Sequence, residues 1–264
     1  MARRCFFVER VEPDAEIVNL SAEASHHLES VLRLKTGEAV EIRDGLGNAW
    51  TGEITRIHKG SAAVRLVGRL DASFLESPLD ITLALGFVRS DIMDQVVRQA
   101  TEMGVRRIAA FRAARSQYAL AGVRAEKKVG RWLKIAREAV CQCGRNRAPE
   151  ISIFGDLDRF LGSLPPSFAD EGGVLRVLAL EGERDRGLDR LKVARPVCSG
   201  VLAAIGPEGG WDDSEIAGLI GAGFHPIHLG PRILRFETAA VALIGSIQLL
   251  WGDFGETGRK GREK

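Results

Sequence analysis

Two glycine-bearing turns near the end of the chain constrain its fold more than any other feature. They are Ile205-Gly206-Pro207-Glu208-Gly209-Gly210 and Leu229-Gly230-Pro231-Arg232-Ile233-Leu234-Arg235-Phe236-Glu237-Thr238. Each follows a short apolar run, 201–205 and 227–229, and each leads into a helix signal. This is the strand–turn–helix order in which the carboxyl ends of parallel strands present loops to a ligand. The two turns therefore predict one pocket in two pieces, in an α/β domain with a parallel sheet.

The residues inside the turns narrow the ligand. Gly206, Gly209 and Gly210 let the backbone approach closely, and Asp212 followed by Glu215 predicts a capping box on the next helix. A phosphate cradle fits poorly, because Glu208 would repel the anion and no Lys or Ser/Thr stands in P-loop positions. The dinucleotide pattern G-x-G-x-x-G is also missing from the strand-to-helix turns. A ligand with hydroxyls or positive charge suits Glu208; a tight turn needing glycine for geometry alone is the alternative. In the second turn Arg232 and Arg235 precede Glu237, Thr238 and an apolar helix. Arg235 and Glu237 form either a structural ion pair, or part of a site where the arginines steer a phosphate or stabilise a developing anion. Helix 239–250 is apolar almost all round, so the domain core or a second subunit must cover it.

The 264 residues, 45% of them hydrophobic, suffice for one large domain or two ordinary ones with a substantial core. The longest apolar stretch, 239–251, is shorter than the roughly 20 residues of a bilayer span, so no membrane anchor is expected. Four irregularly spaced cysteines do not make a disulfide framework, and a reducing cytoplasm is the expected location. Short strands at 6–8, 17–20, 39–43, 49–57 and 62–67, with a hairpin at 44–48, read as a small β-barrel over residues 1–72. One helix interrupts it, capped by Ser21 and carrying Ala24, Leu28, Val31 and Leu32 as its apolar stripe. His26 and His27 point apart on that helix and are read as surface or cap residues. After a boundary at 71–78, strand 81–85, helix 91–103 capped by Ser90 and strand 107–111 form a βαβ unit. Strand 151–154, helix 156–164, strand 174–180 and a long charged loop at 181–195 complete the α/β domain, taken as 76–254, before a charged disordered tail at 255–264.

Charge is distributed unevenly. Residues 112–147 hold ten Lys and Arg against Glu126 and Glu138, a local +8 in a chain whose net charge is only +2. A solvated helix face is the ordinary source of such a run, but a one-signed excess is also the footprint of a polyanion such as nucleic acid. Helix 125–143 places Val129, Trp132, Leu133, Ala136, Val140 and Cys143 on one side, to pack on the sheet. Lys127, Lys128, Arg131 and Lys134 fall on the other, free to face a partner. Cys141 and Cys143 form C-x-C without a second pair and are read as core thiols, so no metal is expected.

The two turns, Cys141-Gln142-Cys143-Gly144-Arg145-Asn146, Glu76-Ser77-Pro78-Leu79 and the Val31-Leu32-Arg33 end of the first helix together resemble the RsmE family of bacterial ribosomal RNA methyltransferases. The resemblance covers nearly the whole chain. It implies a PUA-like RNA-binding barrel followed by a SPOUT domain with a trefoil knot, a topology that general chain-crossing rules argue against. Phe236 and Cys141 depart from the family pattern, which often has a small residue or Thr at the first position and a polar residue at the second.

The resemblance also implies an activity: methyl transfer from S-adenosylmethionine to N3 of a uridine in 16S ribosomal RNA of the small subunit, by a homodimer joined through the SPOUT domain. Non-catalytic RNA binding by the same fold, or methylation of another RNA, are the competing expectations. The implied cofactor residues are Leu180, Gly206, Pro207, Glu208, Gly209, Leu229, Gly230, Leu234 and Thr238. Arg235 would stabilise the uracil anion with Glu237 orienting it, while Arg33, Lys35, Arg145, Asn146 and Arg232 would hold the RNA.

Overall fold

The computed structural model describes residues 4–58, 60–117, 123–165 and 172–255. All of the expected tail except Gly255 lies outside them. The chain divides into two compact units, Met1–Glu76 with Ala136–Ala148, and Ser77–Ile135 with Pro149–Lys264. Thus 136–148, which a linear division assigns to the second domain, groups with the first.

The first unit is built on strands β1 (Cys5–Phe7), β2 (Ile17–Asn19), β3 (Ala39–Arg43), β4 (Ala49–His58) and β5 (Ser61–Arg69). Their order is β1-β3-β4-β5-β2, with β1 parallel to β3 and every other pair antiparallel. β1 and β2 are edges, so the sheet is an open half-barrel. Register shifts at Thr51/Gly52 and Ile54/Arg56 in β4 supply the bends that curl a sheet. Helix α1 (Ala22–His26) starts on Ser21, whose hydroxyl accepts from Ala24 N at 3.2 Å, and runs on into a π-helical turn, His27–Val31. Leu28, Ile42, Ile54 and Val64 are fully buried in the core, each worth about 1.5–3 kcal/mol relative to exposure. The hairpin at 44–48 is organised by Asp44, whose Oδ1 accepts from Leu46 N and Asn48 N at 2.8 and 3.0 Å.

The second unit runs β6 (Asp80–Gly86), α2 (Ser90–Glu102), β7 (Arg107–Phe111), α3 (Val123–Cys143), β8 (Glu150–Phe154), α4 (Leu157–Gly162), β9 (Gly172–Ala179), α5 (Leu188–Ala194), β10 (Cys198–Ile205), α6 (Asp213–Gly221), β11 (His225–Ile227) and α7 (Phe236–Trp251). Its sheet has the order β11-β9-β10-β6-β7-β8 and is parallel throughout. The central strands β6 and β10 bury nearly every residue, which is why they read as unbroken apolar runs rather than alternating ones. Half-barrel and parallel α/β sheet together give the two-domain architecture expected from the sequence, a small β unit followed by an α/β unit.

Three local expectations are corrected. Ser90 is the first residue of α2 rather than its cap; Arg89 holds the cap position, and the Ser90 hydroxyl bonds Lys128 Nζ. The charged loop at 181–195 contains α5, because Leu188 can bury itself. The basic side of α3 is not wholly free: Arg131 Nη2 lies 2.6 Å and Lys128 Nζ 3.6 Å from the Asp94 carboxylate. The same carboxylate accepts from Trp132 Nε1 at 3.0 Å, tying α3 to α2. On α7, Leu243, Ile244 and Ile247 are fully buried while Leu249 is 62% exposed, so the core covers only one side of the helix. Among the described residues no helix is long and apolar enough to cross a membrane.

Candidate active site

Strand register builds the site. Ala179 is paired with both Ile205 and Ile227, so β9, β10 and β11 end level and Leu180, Gly206 and His228 leave the sheet side by side. Leu180 N donates to Ile227 O at 3.0 Å, which extends the alignment by one residue. The loops that follow enclose a cavity of about 1040 Å³ at the carboxyl edge of the sheet. Both opening turns line it, as the chain order required.

Of the residues expected to hold a cofactor, Leu180, Gly206, Pro207, Glu208, Gly209, Leu229, Gly230 and Leu234 line this cavity. Thr238 is exposed and does not; Phe236 and Ala239 of the same helical turn line it instead. Arg232 stands in the wall. Arg235 is exposed at the N-cap of α7 and lies outside the lining, and among the described residues no ion pair joins it to Glu237.

The floor is an aromatic stack that sequence reasoning passed over. Trp211 is buried, stacks on Phe111 with centroids 6.1 Å apart, and Phe111 stacks on Phe160 at 5.2 Å. Trp211 Nε1 donates to Ala179 O at 3.1 Å, fastening the first turn to the end of β9. A Cβ on Gly206 would stand 3.0 Å from the indole, so a side chain at this position would crowd Trp211. The available signal was one tryptophan lying between a Gly-Gly pair and an Asp cap.

The first turn is further held by its own helix. Asp212 and Glu215 form the expected capping box, with Ser214 N to Asp212 Oδ1 at 3.1 Å and Asp212 N to Glu215 Oε2 at 3.0 Å. Glu215 Oε1 also accepts from Ala114 N at 2.7 Å, and Arg115 Nη1 donates to Gly209 O at 3.3 Å. The loop after β7 thereby braces the turn, a contact with no periodic signature. Backbone and side-chain donation from Ser214 holds the Asp212 carboxyl below the usual carboxylate range. Glu183 behaves alike: the amides of Asp185, Arg184 and Arg186 donate to its Oε1 at 2.9, 3.0 and 3.2 Å and lower its pKa. Of these two carboxylates Glu183 lines the cavity, together with Arg115, Arg184 and Arg232.

The residues expected to meet RNA separate into two groups. Arg33, Lys35 and Arg232 are exposed, and Arg33 is the one non-glycine with positive φ (52°) among the described residues. Arg145 and Asn146 are 4% and 3% exposed. Arg145 donates to Glu76, whose Oε1 also accepts from the backbone N of Asn146 and Arg147 at 2.7 and 2.9 Å. Asn146 Oδ1 accepts from Nε of buried Arg43 at 3.1 Å, and Arg43 reaches Gly144 O with Nη2 at 3.3 Å. These bonds draw 144–147 into the first unit. Cys141 belongs to the same cluster: its thiol, then Arg43, pull the Cys5 thiol below its ordinary value, while Cys141 itself is pushed up.

Comparison with known proteins agrees with this construction. Residues 75–248 match the model of an RNA methyltransferase domain and residues 20–67 that of an RNA methyltransferase PUA domain. Fold and cavity thus define an RNA methyltransferase of the two-domain type. The chain belongs to the RsmE family of ribosomal RNA small subunit methyltransferases. It is similar to the Ribosomal RNA small subunit methyltransferase E of Neisseria gonorrhoeae, solved bound to S-adenosyl methionine, at 31% identity and TM-score 0.82, covering 96% of this chain and 100% of that one. A Legionella pneumophila structure with bound SAM matches at 31% identity and TM-score 0.85 over the same shares. The Bacillus subtilis Ribosomal RNA small subunit methyltransferase E is 27% identical over 259 residues, 94% of this chain and 98% of the relative.

Proposed function

We propose that the protein methylates N3 of a uridine in 16S ribosomal RNA, with S-adenosylmethionine as donor. The observation that carries the reading is the joining of both turns and the 180–184 loop around one cavity of about 1040 Å³, whose lining combines glycine backbone, leucine side chains and charged groups of both signs. Those residues fit a cationic nucleoside. Strand-end N–H and C=O groups suit an adenine edge, Leu180, Leu229 and Leu234 suit its faces, and Glu208 suits ribose hydroxyls or the positive charge. Bound there, the cofactor supplies an electrophilic methyl group on a sulfonium.

The chain's own tasks are alignment and charge stabilisation, and each can lower the barrier by several kcal/mol. Arg235, exposed at the N-cap of α7, stabilises the uracil anion as N3 loses its proton. Water or a carboxylate takes the proton. The uridine must be unpaired or flipped to be reached. Arg33 and Lys35 on the half-barrel and Arg232 at the cavity contact RNA directly. Arg145 and Asn146 act at one remove, by shaping 144–147 from inside. The uncovered side of α7, with Leu249 exposed, is where a second copy of the chain joins.

Mapping modified nucleotides in ribosomal RNA from a deletion strain, with and without the restored gene, tests this. A single N3-methyluridine in 16S RNA should vanish and return. Unchanged 16S RNA with a lost methyl elsewhere would reassign the substrate, and calorimetry showing no cofactor binding at millimolar concentration would leave only RNA binding.

A further inference from the structure

His228 is the first residue after β11 and is half-buried between two cavities, the large one and a smaller one of about 230 Å³. Its backbone N donates to Arg186 O at 2.9 Å, which pins its position at the sheet edge. Its ring Nδ1 lies 3.1 Å from Gly230 N. An amide N–H only donates, so Nδ1 must be the accepting, unprotonated nitrogen of a neutral imidazole, with the proton on Nε2. Gly230 has φ of +86°, and the bond closes the turn across this left-handed residue. On the far side of the ring, a Cβ built on Gly187 would clash with Asp189 Oδ1 and stand 3.5 Å from His228 Nε2. Carboxylate and ring nitrogen thus both stand near the space beside Gly187.

We propose that His228 is a positioning residue: its neutral imidazole, accepting the Gly230 amide at Nδ1, holds the second turn in the shape that lines the cofactor cavity. The assignment rests on reading that cavity as the site for S-adenosylmethionine, and it adds a side-chain clamp to it. Asp189 from α5 and Ala242 and Ser246 from α7 line the smaller cavity with the ring, and Glu183, Arg184 and Arg232 share the large-cavity wall.

Amide hydrogen exchange at Gly230 in the full chain without added cofactor reads the clamp directly. After correction for intrinsic rates, exchange at pH 8 should be about tenfold faster in His228→Phe, which keeps the ring but has no acceptor, than in wild type. His228→Asn, whose side-chain oxygen can accept in place of Nδ1, should restore protection. Calorimetric affinity for S-adenosylmethionine should fall about tenfold in His228→Phe and stay near wild type in His228→Asn. Equal Gly230 protection in wild type and His228→Phe would overturn the assignment, and so, should His228→Phe fail to fold, would equal protection in wild type and His228→Ala. Wild type that binds no cofactor yet shows the expected exchange pattern would sink the functional reading while leaving the clamp.

Discussion

Arg145 lies on Glu76 in a largely buried ion pair, with Nε and Nη2 at 3.0 and 2.9 Å from the same carboxylate oxygen, Oε2. Side-chain exposure is 5% for the arginine and 20% for the glutamate, and the other carboxylate oxygen receives two backbone amides. Removing the carboxylate takes the ion-pair partner from a buried cation and the acceptor from those amides. Glu76→Ala should destabilise the first unit by about 3–5 kcal/mol in denaturant unfolding. A loss below about 1 kcal/mol, the range of a surface pair, would mean that water replaces Glu76.

Trp211 contributes to the site in two separable ways. Trp211→Phe keeps the stack on Phe111 but loses the bond to Ala179 O, and should cost about 1 kcal/mol. Trp211→Ala removes the floor and should cost about 3–5 kcal/mol, with weaker cofactor binding in calorimetry. Equal stability of the two variants would show that the aromatic stack carries little.

Arg235→Ala should lower turnover by about 10²–10³ while changing cofactor affinity little, since Arg235 lies outside the cavity lining and its proposed role is at the developing anion. Single-turnover rates beside calorimetry make the distinction. Parallel losses in both would move Arg235 into cofactor binding.

Burial, then Arg195 and Arg186, lower the pKa of His225. The unfolded chain therefore binds the proton first. As pH falls below the ordinary imidazole value of about 6.5, stability should decline until the folded-state pKa is passed, and then level off. Above that value His225 is neutral in both states and contributes no slope. His225→Asn should flatten this part of the stability curve; an unchanged slope between about pH 6.5 and 5 would place the acid sensitivity elsewhere.

Arg33→Ala should weaken binding of 16S RNA evenly and reduce the slope of log affinity against log salt by about 1. Asn146→Ala should instead lower stability and leave that slope unchanged, since its amide oxygen is engaged by Arg43. A reduced salt slope in Asn146→Ala would return this residue to the RNA contact list.

Much of this protein is written locally. Apolar runs at 81–85 and 201–205 specify buried parallel strands, Ser21 and Asp212 specify helix starts, and the glycines with Glu208 specify a pocket that is not a phosphate cradle. Each depends on neighbours within a turn or strand, where spacing and side-chain chemistry suffice. Tertiary structure decided what lies far apart in sequence. Register brings Ala179, Ile205 and Ile227 level, and Trp211 becomes a floor only because Ala179 and Phe111 meet it. Lys128 and Arg131 read as a free basic face until Asp94 of another helix engages them. Arg145 and Asn146 looked like RNA contacts for the same reason: a charge or amide in the sequence does not show whether its partner is solvent, a ligand or a residue such as Glu76 or Arg43. Burial settles that choice, because a desolvated polar group must be paired inside the protein, and burial is a property of the packed fold.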